Sequence, residues 1–372
     1  MRRYSVGTIS EEATKYFFIR DCETMEIVLL PSKYLKHKTK ANRSPNTVKR
    51  AAFAVCYYLE YLKEIPMEAT QVYGLDYEKQ NEHFVNFLHW LKAGNHKQED
   101  SQRKINNGTC NAYLEDVFRF YLFVEAEYEQ FGSLKVLSYN YHVAANAVGV
   151  QKKLRYQSFK GYLKAEERKV RPAEHDEITT VLQACTNCRD QLLILMLAET
   201  GFRIGEILGV DYAHDIDYQR HMVGVYFRDD NENEARAKNA EYRKAKVSDE
   251  TFEFLMYYLA EYRELLQRQR FLFINITGDT AGQPLKVDSV YDMLERMEKK
   301  TGISLTPHML RRYFANMRRK AGWRLELIQQ ALGHKHIDTT IKYLNIVDDE
   351  LLEASREFYE RHSAMYGVEK LL

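Results

Sequence analysis

Six prolines and seventeen glycines are few for a chain of 372 residues. That scarcity excludes collagen-like and low-complexity classes and leaves room for long helices. Cysteine is scarce too, and its odd count of five gives a chain this large no disulfide framework, so free thiols are expected. Cys185 and Cys188 form one CxxC, but no second ligand pair stands at zinc-binding spacing, and no metal or cofactor is expected there. Long apolar runs are missing: the longest, Leu192 to Ala198, falls far below the roughly 20 residues of a spanning helix. The opening MRRYSVGTIS lacks the apolar segment of a secretory signal, which points to an intracellular protein with no membrane partner. Net charge is nearly absent as well, at +1, so the total makes no case for a polyanionic ligand.

What is present is apolar and charged surface in a soluble proportion, 45% hydrophobic and 29% charged. The length exceeds the roughly 250 to 300 residues at which single cores stop growing, so two domains are expected. The charge, balanced overall, is unevenly spread. Residues 31 to 50 carry seven Lys or Arg and no acid, namely Lys33, Lys36, Lys38, Lys40, Arg43, Lys49 and Arg50. Residues 151 to 171, with Lys152, Lys153 and Arg155, carry eight against Glu166 and Glu167, and residues 301 to 343 carry eight against Glu326 and Asp338. Three separated basic blocks in a neutral chain predict a segregated basic surface and a nucleic-acid partner.

Along the chain, Lys15 to Arg20 and Glu26 to Leu30 read as short strands. Ser44-Pro45 then reads as an N-cap with proline at the first helical position, followed by Val48, Ala52, Val55, Leu59 and Leu62 at helical spacing. Amphipathic stretches at 78 to 92 and 109 to 128 complete a small helical bundle, with Phe118, Phe120, Tyr121 and Phe123 as core aromatics. Residues 151 to 172 are basic, poor in apolar periodicity and closed by Arg171-Pro172, which sets the boundary between domains at 1–165 and 172–372. The second domain reads as helices at 174 to 184, 189 to 208, 249 to 268, 286 to 300, 308 to 321, 324 to 332 and from Asp348, with short strands at 221 to 227 and 242 to 248. The fold class is mainly α with a small β-sheet.

Four pieces of the second domain carry chemistry: TGFRIGE at 200 to 206, ARAKN at 235 to 239, HMLRRYF at 308 to 314 and LGHKHIDTTIKYLNI at 332 to 346. In order and spacing they resemble the signature of the tyrosine recombinase (phage integrase) family, which has an arginine in TGxRxxE, a hairpin lysine, HxxR, a histidine in LGH and a tyrosine nine residues later. The matching residues are Arg203, Lys238, His308, Arg311, His334 and Tyr343. The likeness is specific over 172 to 346. SPNTVKRAAFAVCYYLEYL is similar to the first helix of the family's core-binding domain, and DDNENEARAKN is similar to transposase-like members encoded by mobile elements.

That resemblance implies a helical core-binding domain and a catalytic domain forming a C-shaped clamp on duplex DNA. It also implies tetramers on two recombination sites, accessory proteins, and a cytoplasmic, nucleoid-associated place of work in bacteria. The chemistry asks for these residue types. A side-chain oxygen that attacks phosphorus stores the phosphodiester as a covalent bond for religation without metal or water. Tyr343 is the nucleophile in this reading. Arg203 and Arg311 offer planar forks to phosphate oxygens. His308 handles the nucleophile's proton or bonds phosphate, His334 gives a second phosphate hydrogen bond, and Lys238 protonates the leaving 5′ oxygen. Lys244 and Lys246 stand in the same hairpin as alternatives to Lys238. Glu206 would orient Arg203, and Thr339 and Thr340 would support the turn before Tyr343.

The family often has a histidine followed by Ser or Thr after the HxLR arginine, where Arg312 and Tyr313 stand here. A type IB topoisomerase uses the same tyrosine chemistry, but the helical N-terminal domain and a tail with Leu351, Leu352, Phe358 and Tyr359 favour a recombinase. A non-catalytic DNA-binding regulator would have lost one of the set, and none is missing. A metal nuclease built on His308, His334 and His336 lacks carboxylates at ligand spacing, and Arg203 and Arg311 would repel the cation.

Overall fold

The structure is a computed structural model. It describes all residues except 1, 12–13, 97–104, 129–131, 146–150, 158, 167–169, 227–241, 342 and 345–372, and for 139–145 and 151–157 it describes the backbone alone. Lys238 and the tail helix expected from Asp348 therefore lie outside the described residues, as do the side chains of Lys152, Lys153 and Arg155. The chain divides into two compact units, Met1–Arg168 and Lys169–Leu372.

The first unit opens with an antiparallel hairpin, β1 (Tyr4–Glu11) and β2 (Thr14–Asp21), in register from Tyr4 opposite Asp21 to Glu11 opposite Thr14. The strand expected at 26 to 30 does not form. Ile27 makes only an isolated bridge to Arg20, and helix α1 (Leu29–Lys40) begins two residues later. Pro31 explains the change: it cannot donate to a sheet ladder, and it suits a first helical turn, whose N–H groups have no intrahelical partner anyway. Ser32 then returns its hydroxyl to the Ile19 N–H at 3.1 Å.

Helix α2 (Pro45–Glu64) starts where the sequence predicts, the Ser44 hydroxyl accepting from the Thr47 N–H. Its stripe of Val48, Ala52, Val55, Leu59 and Leu62 is buried. Helices α3 (Tyr77–Ala93) and α4 (Asn107–Glu127) are capped by Asp76 and Asn106 and close the bundle. Phe118, Phe120 and Tyr121 are core, while Phe123 packs on Tyr34 and His37. Two polar clusters sit inside this apolar frame. The Tyr58 hydroxyl bonds His83 Nε2 at 2.7 Å and the Tyr121 hydroxyl at 2.6 Å. Asp116, fully buried on α4, accepts from Arg50 at 2.7 Å and Arg119 at 2.8 Å, with the Lys38 ammonium 3.7 Å away. Strand β3 (Tyr139–Ala145) pairs antiparallel with β4 (Gln151–Gln157). The basic stretch from 151 thus begins as a strand, and a backbone ladder carries no helical periodicity to read.

In the second unit α5 (His175–Ala184) and α6 (Cys188–Thr200) pack with a three-stranded antiparallel sheet of β5 (Ile216–Asp217), β6 (Met222–Val225) and β7 (Arg243–Lys246). The single helix expected over 189 to 208 is broken. Gly201 takes φ +62°, ending α6 in a left-handed cap, and α7 (Ile204–Ile207) restarts after it. The region 249 to 268 likewise divides into α8 (Asp249–Glu261) and α9 (Arg263–Leu266). Then follow α10 (Val287–Thr301), α11 (Pro307–Lys320), α12 (Leu325–Leu332) and α13 (Ile337–Ile341). No helix among the described residues is long and apolar enough to cross a membrane.

Candidate functional site

The break after α6 makes the first half of the site. With Gly201 turned left-handed, Phe202 is buried and Arg203 stands at the start of α7 rather than inside a helix. Glu206 reaches back with both oxygens: Oε2 accepts the Arg203 N–H at 2.7 Å and Oε1 accepts its guanidinium at 2.8 Å. Glu206 is 3% exposed and also pairs with Arg243 of β7. Burial alone would push its carboxyl up, but Arg243, the Arg203 N–H and the Arg203 charge together hold it below the usual range. Glu206 is therefore an anion with two cations fixed on it.

Helix α11 makes the second half. Thr306 caps it and Pro307 opens it, so His308 and Arg311 lie one turn apart on one face. Arg311 is 1% exposed, donating to the Gly201 and Leu332 carbonyls at the C-terminal ends of α6 and α12 and to His334 Nε2 at 3.0 Å. Its Nε is buried without a hydrogen-bond partner. Burial, reinforced by the Arg203 charge, lowers its guanidinium to about 10, so the group stays cationic near neutral pH. The phosphate fork expected from sequence is thus partly committed to carbonyls, with an orphan donor left over.

Gly333 ends α12 at φ +61°, and a Cβ there would collide with the Arg243 guanidinium. The turn sends His334 inward, where its Nδ1 lies 2.9 Å from the buried Thr340 hydroxyl. Because Arg311 can only donate, Nε2 accepts, and the ring proton sits on Nδ1, facing Thr340. Burial first, then Arg311, pushes His334 down to about 3, so the ring is neutral. In this arrangement His334 supports Arg311; donating a hydrogen bond from Nε2 to phosphate, the role expected from sequence, requires that contact to yield. Thr340 also accepts the Tyr343 N–H on its carbonyl at 2.9 Å, while Thr339 is exposed.

Tyr343 arrives at the mouth of the site. Its hydroxyl is 2.9 Å from Nε2 of the exposed His308, and the rings of His308 and His334 meet it edge-on. The guanidinium carbons of Arg311 and Arg312 lie 5.8 and 4.9 Å from its ring centroid. Arg203, His308, Arg311, His334 and Tyr343 line one open pocket of about 500 Å³, shared with Tyr291, Lys335 and His336. Three arginines and one carboxylate in and behind it leave an electropositive site suited to phosphate.

Arg243 was not singled out from the sequence. Its signal was the period of β7, which turns Arg243 inward and leaves Lys244 and Lys246 exposed. Lys38 needs correction in the other direction. Assigned to the basic DNA-facing set, it is 8% exposed and spent on Asp116 and the Tyr34 hydroxyl, because the fully buried carboxylate draws it inward. Lys36, Lys40, Arg43 and Lys49 are exposed. Among the described residues no group of three or more His, Cys, Asp or Glu is placed to hold a metal ion.

Residues 170–350 match the phage integrase family. The chain is 30% identical over 336 residues to transposase A from transposon Tn554 of Staphylococcus aureus, covering 88% of this chain and 90% of that protein. It superposes on XerH site-specific recombinase bound to palindromic difH with a TM-score of 0.58, at 18% identity, over 87% of this chain and 82% of that one. On the Tn1549 transposon integrase in complex with transposon right end DNA the TM-score is 0.57, at 16% identity, over 88% and 98%.

Proposed function

Given that the chain belongs to the phage integrase family of tyrosine recombinases and is a DNA strand-breaking and rejoining enzyme, we propose that Tyr343 is its nucleophile. One observation carries the proposal: among the described residues, Tyr343 is the one tyrosine lining the arginine pocket with its hydroxyl on a histidine, 2.9 Å from His308. His308 takes the phenolic proton as the oxygen attacks phosphorus. The bond to the 5′ oxygen breaks, and the 3′ phosphate remains esterified to Tyr343. Arg203, aimed by Glu206, and Arg311, through its orphan Nε–H, stabilise the charge that builds on the phosphorane. Lys238, outside the described residues, gives the departing 5′ oxygen its proton. The reverse steps, with a new 5′ hydroxyl attacking the phosphotyrosine, rejoin the strands.

The element acted on is a mobile one, integrated and excised at recombination sites; the likeness to the Tn554 transposase and the Tn1549 integrase supports this. Lys36, Lys40, Arg43 and Lys49, together with Lys152, Lys153 and Arg155, meet DNA phosphates. The working form is a tetramer on two sites, aided by accessory proteins, in the bacterial cytoplasm on the nucleoid.

Incubation with nicked site DNA, a denaturing gel and peptide mapping test the proposal. The expected product is a covalent adduct on Tyr343 that forms in EDTA and without nucleotide. An adduct on another tyrosine, none with any cognate element DNA, or loss of cleavage in EDTA would overturn it.

A further inference from the structure

Position 312 is where this chain departs from the histidine often found after the HxLR arginine, and the structure gives the replacement a target. Arg312 places its guanidinium carbon 4.9 Å from the Tyr343 ring centroid, closer than Arg311 at 5.8 Å. Among the described residues no carboxylate pairs with it, and its Nε is buried without a hydrogen-bond partner. The aromatic face is what this half-buried cation has. The contact is also anchored through the backbone, since Asn316 donates from one amide nitrogen to the carbonyls of Arg312 at 2.8 Å and Tyr343 at 3.1 Å. Side chain and main chain of one helical turn thus grip the same tyrosine.

We propose that Arg312 is a positioning residue for the nucleophile, holding the Tyr343 ring for attack and favouring the charge that develops on it. The inference rests on Tyr343 being the attacking group. A planar guanidinium on an aromatic face is attracted by the ring's electron density. That density rises as phenol becomes phenolate, so the contact tightens along the reaction and accelerates it rather than merely binding the ground state. Other charged or titratable groups share the environment of Tyr343. His308 and Arg311 come from α11, Arg203 from the turn before α7 and Tyr291 from α10; His334, Lys335 and His336 come from the turn after α12. Arg312 therefore adds to an existing field, and its removal weakens cleavage without abolishing it.

The test is single-turnover cleavage of nicked site DNA by the full chain and its R312M, R312Q and R312K variants between about pH 6 and pH 9, with DNA affinity and Tm measured alongside. R312M and R312Q are expected to cleave about tenfold more slowly at neutral pH, the gap narrowing as pH rises and the medium takes over deprotonation. R312K regains part of the rate, because an ammonium can occupy the same face, and DNA affinity and Tm stay near wild type. Equal slowing at every pH with no recovery by lysine would make Arg312 a packing residue, and a loss of affinity matching the loss of rate would make it a phosphate contact; either overturns the proposal. Should R312M not fold, the pair R312Q and R312K decides between charge and packing. A wild-type enzyme that forms no adduct in the same assay would instead sink the assignment of Tyr343.

Discussion

Each unit contains a tyrosine hydroxyl on a histidine Nε2, and the two pairs behave as opposites. In the first unit Tyr58 and His83 sit 2.7 Å apart, buried in the core; burial drives the phenol well above its usual range and the histidine down to about 4. The pair is neutral and inert, a hydrogen-bonded knot among the rings of Phe84, Phe87 and Tyr121. In the second unit Tyr343 and His308 sit 2.9 Å apart at an open surface, with two guanidiniums by the tyrosine ring. A Tyr–His contact is thus no sign of catalysis by itself; exposure and nearby guanidiniums are what set the Tyr343 pair apart. The buried carboxylates repeat the lesson. Asp116 gathers Lys38, Arg50 and Arg119 and ties α1, α2 and α4 together. Glu206 gathers Arg203 and Arg243, while among the described residues no carboxylate pairs with Arg311.

The sharpest way to break the comparison is at the tyrosines. Tyr343→Phe should abolish the covalent adduct with DNA binding intact, whereas Tyr58→Phe should cleave normally and lose about 1–3 kcal/mol of stability in denaturant titrations. Cleavage lost on Tyr58→Phe without a change in stability would refute it. Next come the carboxylates. Glu206→Gln should slow cleavage roughly a hundredfold by loosening Arg203 and destabilise the fold by about 3 kcal/mol because Arg243 stays buried and unpaired. Asp116→Asn should match that loss of stability while leaving the cleavage rate of the folded enzyme unchanged.

Acid should act on both units. His83 and His334 titrate in the fold at about 4 and about 3, below the roughly 6.5 of an unfolded histidine. In that window the unfolded chain binds protons that the folded chain refuses, so stability falls as pH drops below about 6.5. His83→Gln and His334→Gln should each flatten the fall of Tm between about pH 7 and pH 4.5, and an unchanged slope in both would contradict their burial as neutral rings. The smallest effects belong to single lysines. Lys36→Ala or Lys49→Ala should each reduce the slope of log affinity against log salt by about 1. Lys38→Ala should leave that slope alone and lower stability instead.

The sequence made much of this legible because the chemistry is written as residue types in order: Arg203, His308, Arg311, His334 and Tyr343 all reach one pocket, from segments up to 140 residues apart in number. The cap of α2 was legible for the same local reason, Ser44-Pro45 opening that helix. What escaped depends on three-dimensional neighbours. Residues 189 to 208 read as one helix, and the Phe314 ring lying where a Gly201 Cβ would be shows why glycine, and with it the left-handed turn, stands there. Lys38 looks like its basic neighbours until Asp116 is folded beneath it. Arg243 was within reach, since an arginine alternating with lysines in a strand faces the other way, but its partner Glu206 is 37 residues distant.

Arg311 is held by the spent ends of two helices, and this has an electrical consequence. The last carbonyls of a helix carry about half a negative charge between them, so α6 and α12 offer Arg311 a counter-charge made of backbone dipoles. Unlike a carboxylate, such a counter-charge cannot be protonated, swung aside or lured away by another cation. The arginine is kept in place by groups that never discharge it, in acid and at neutrality alike. In the proposed reaction, its pull on an arriving phosphate is then a fixed property of the scaffold.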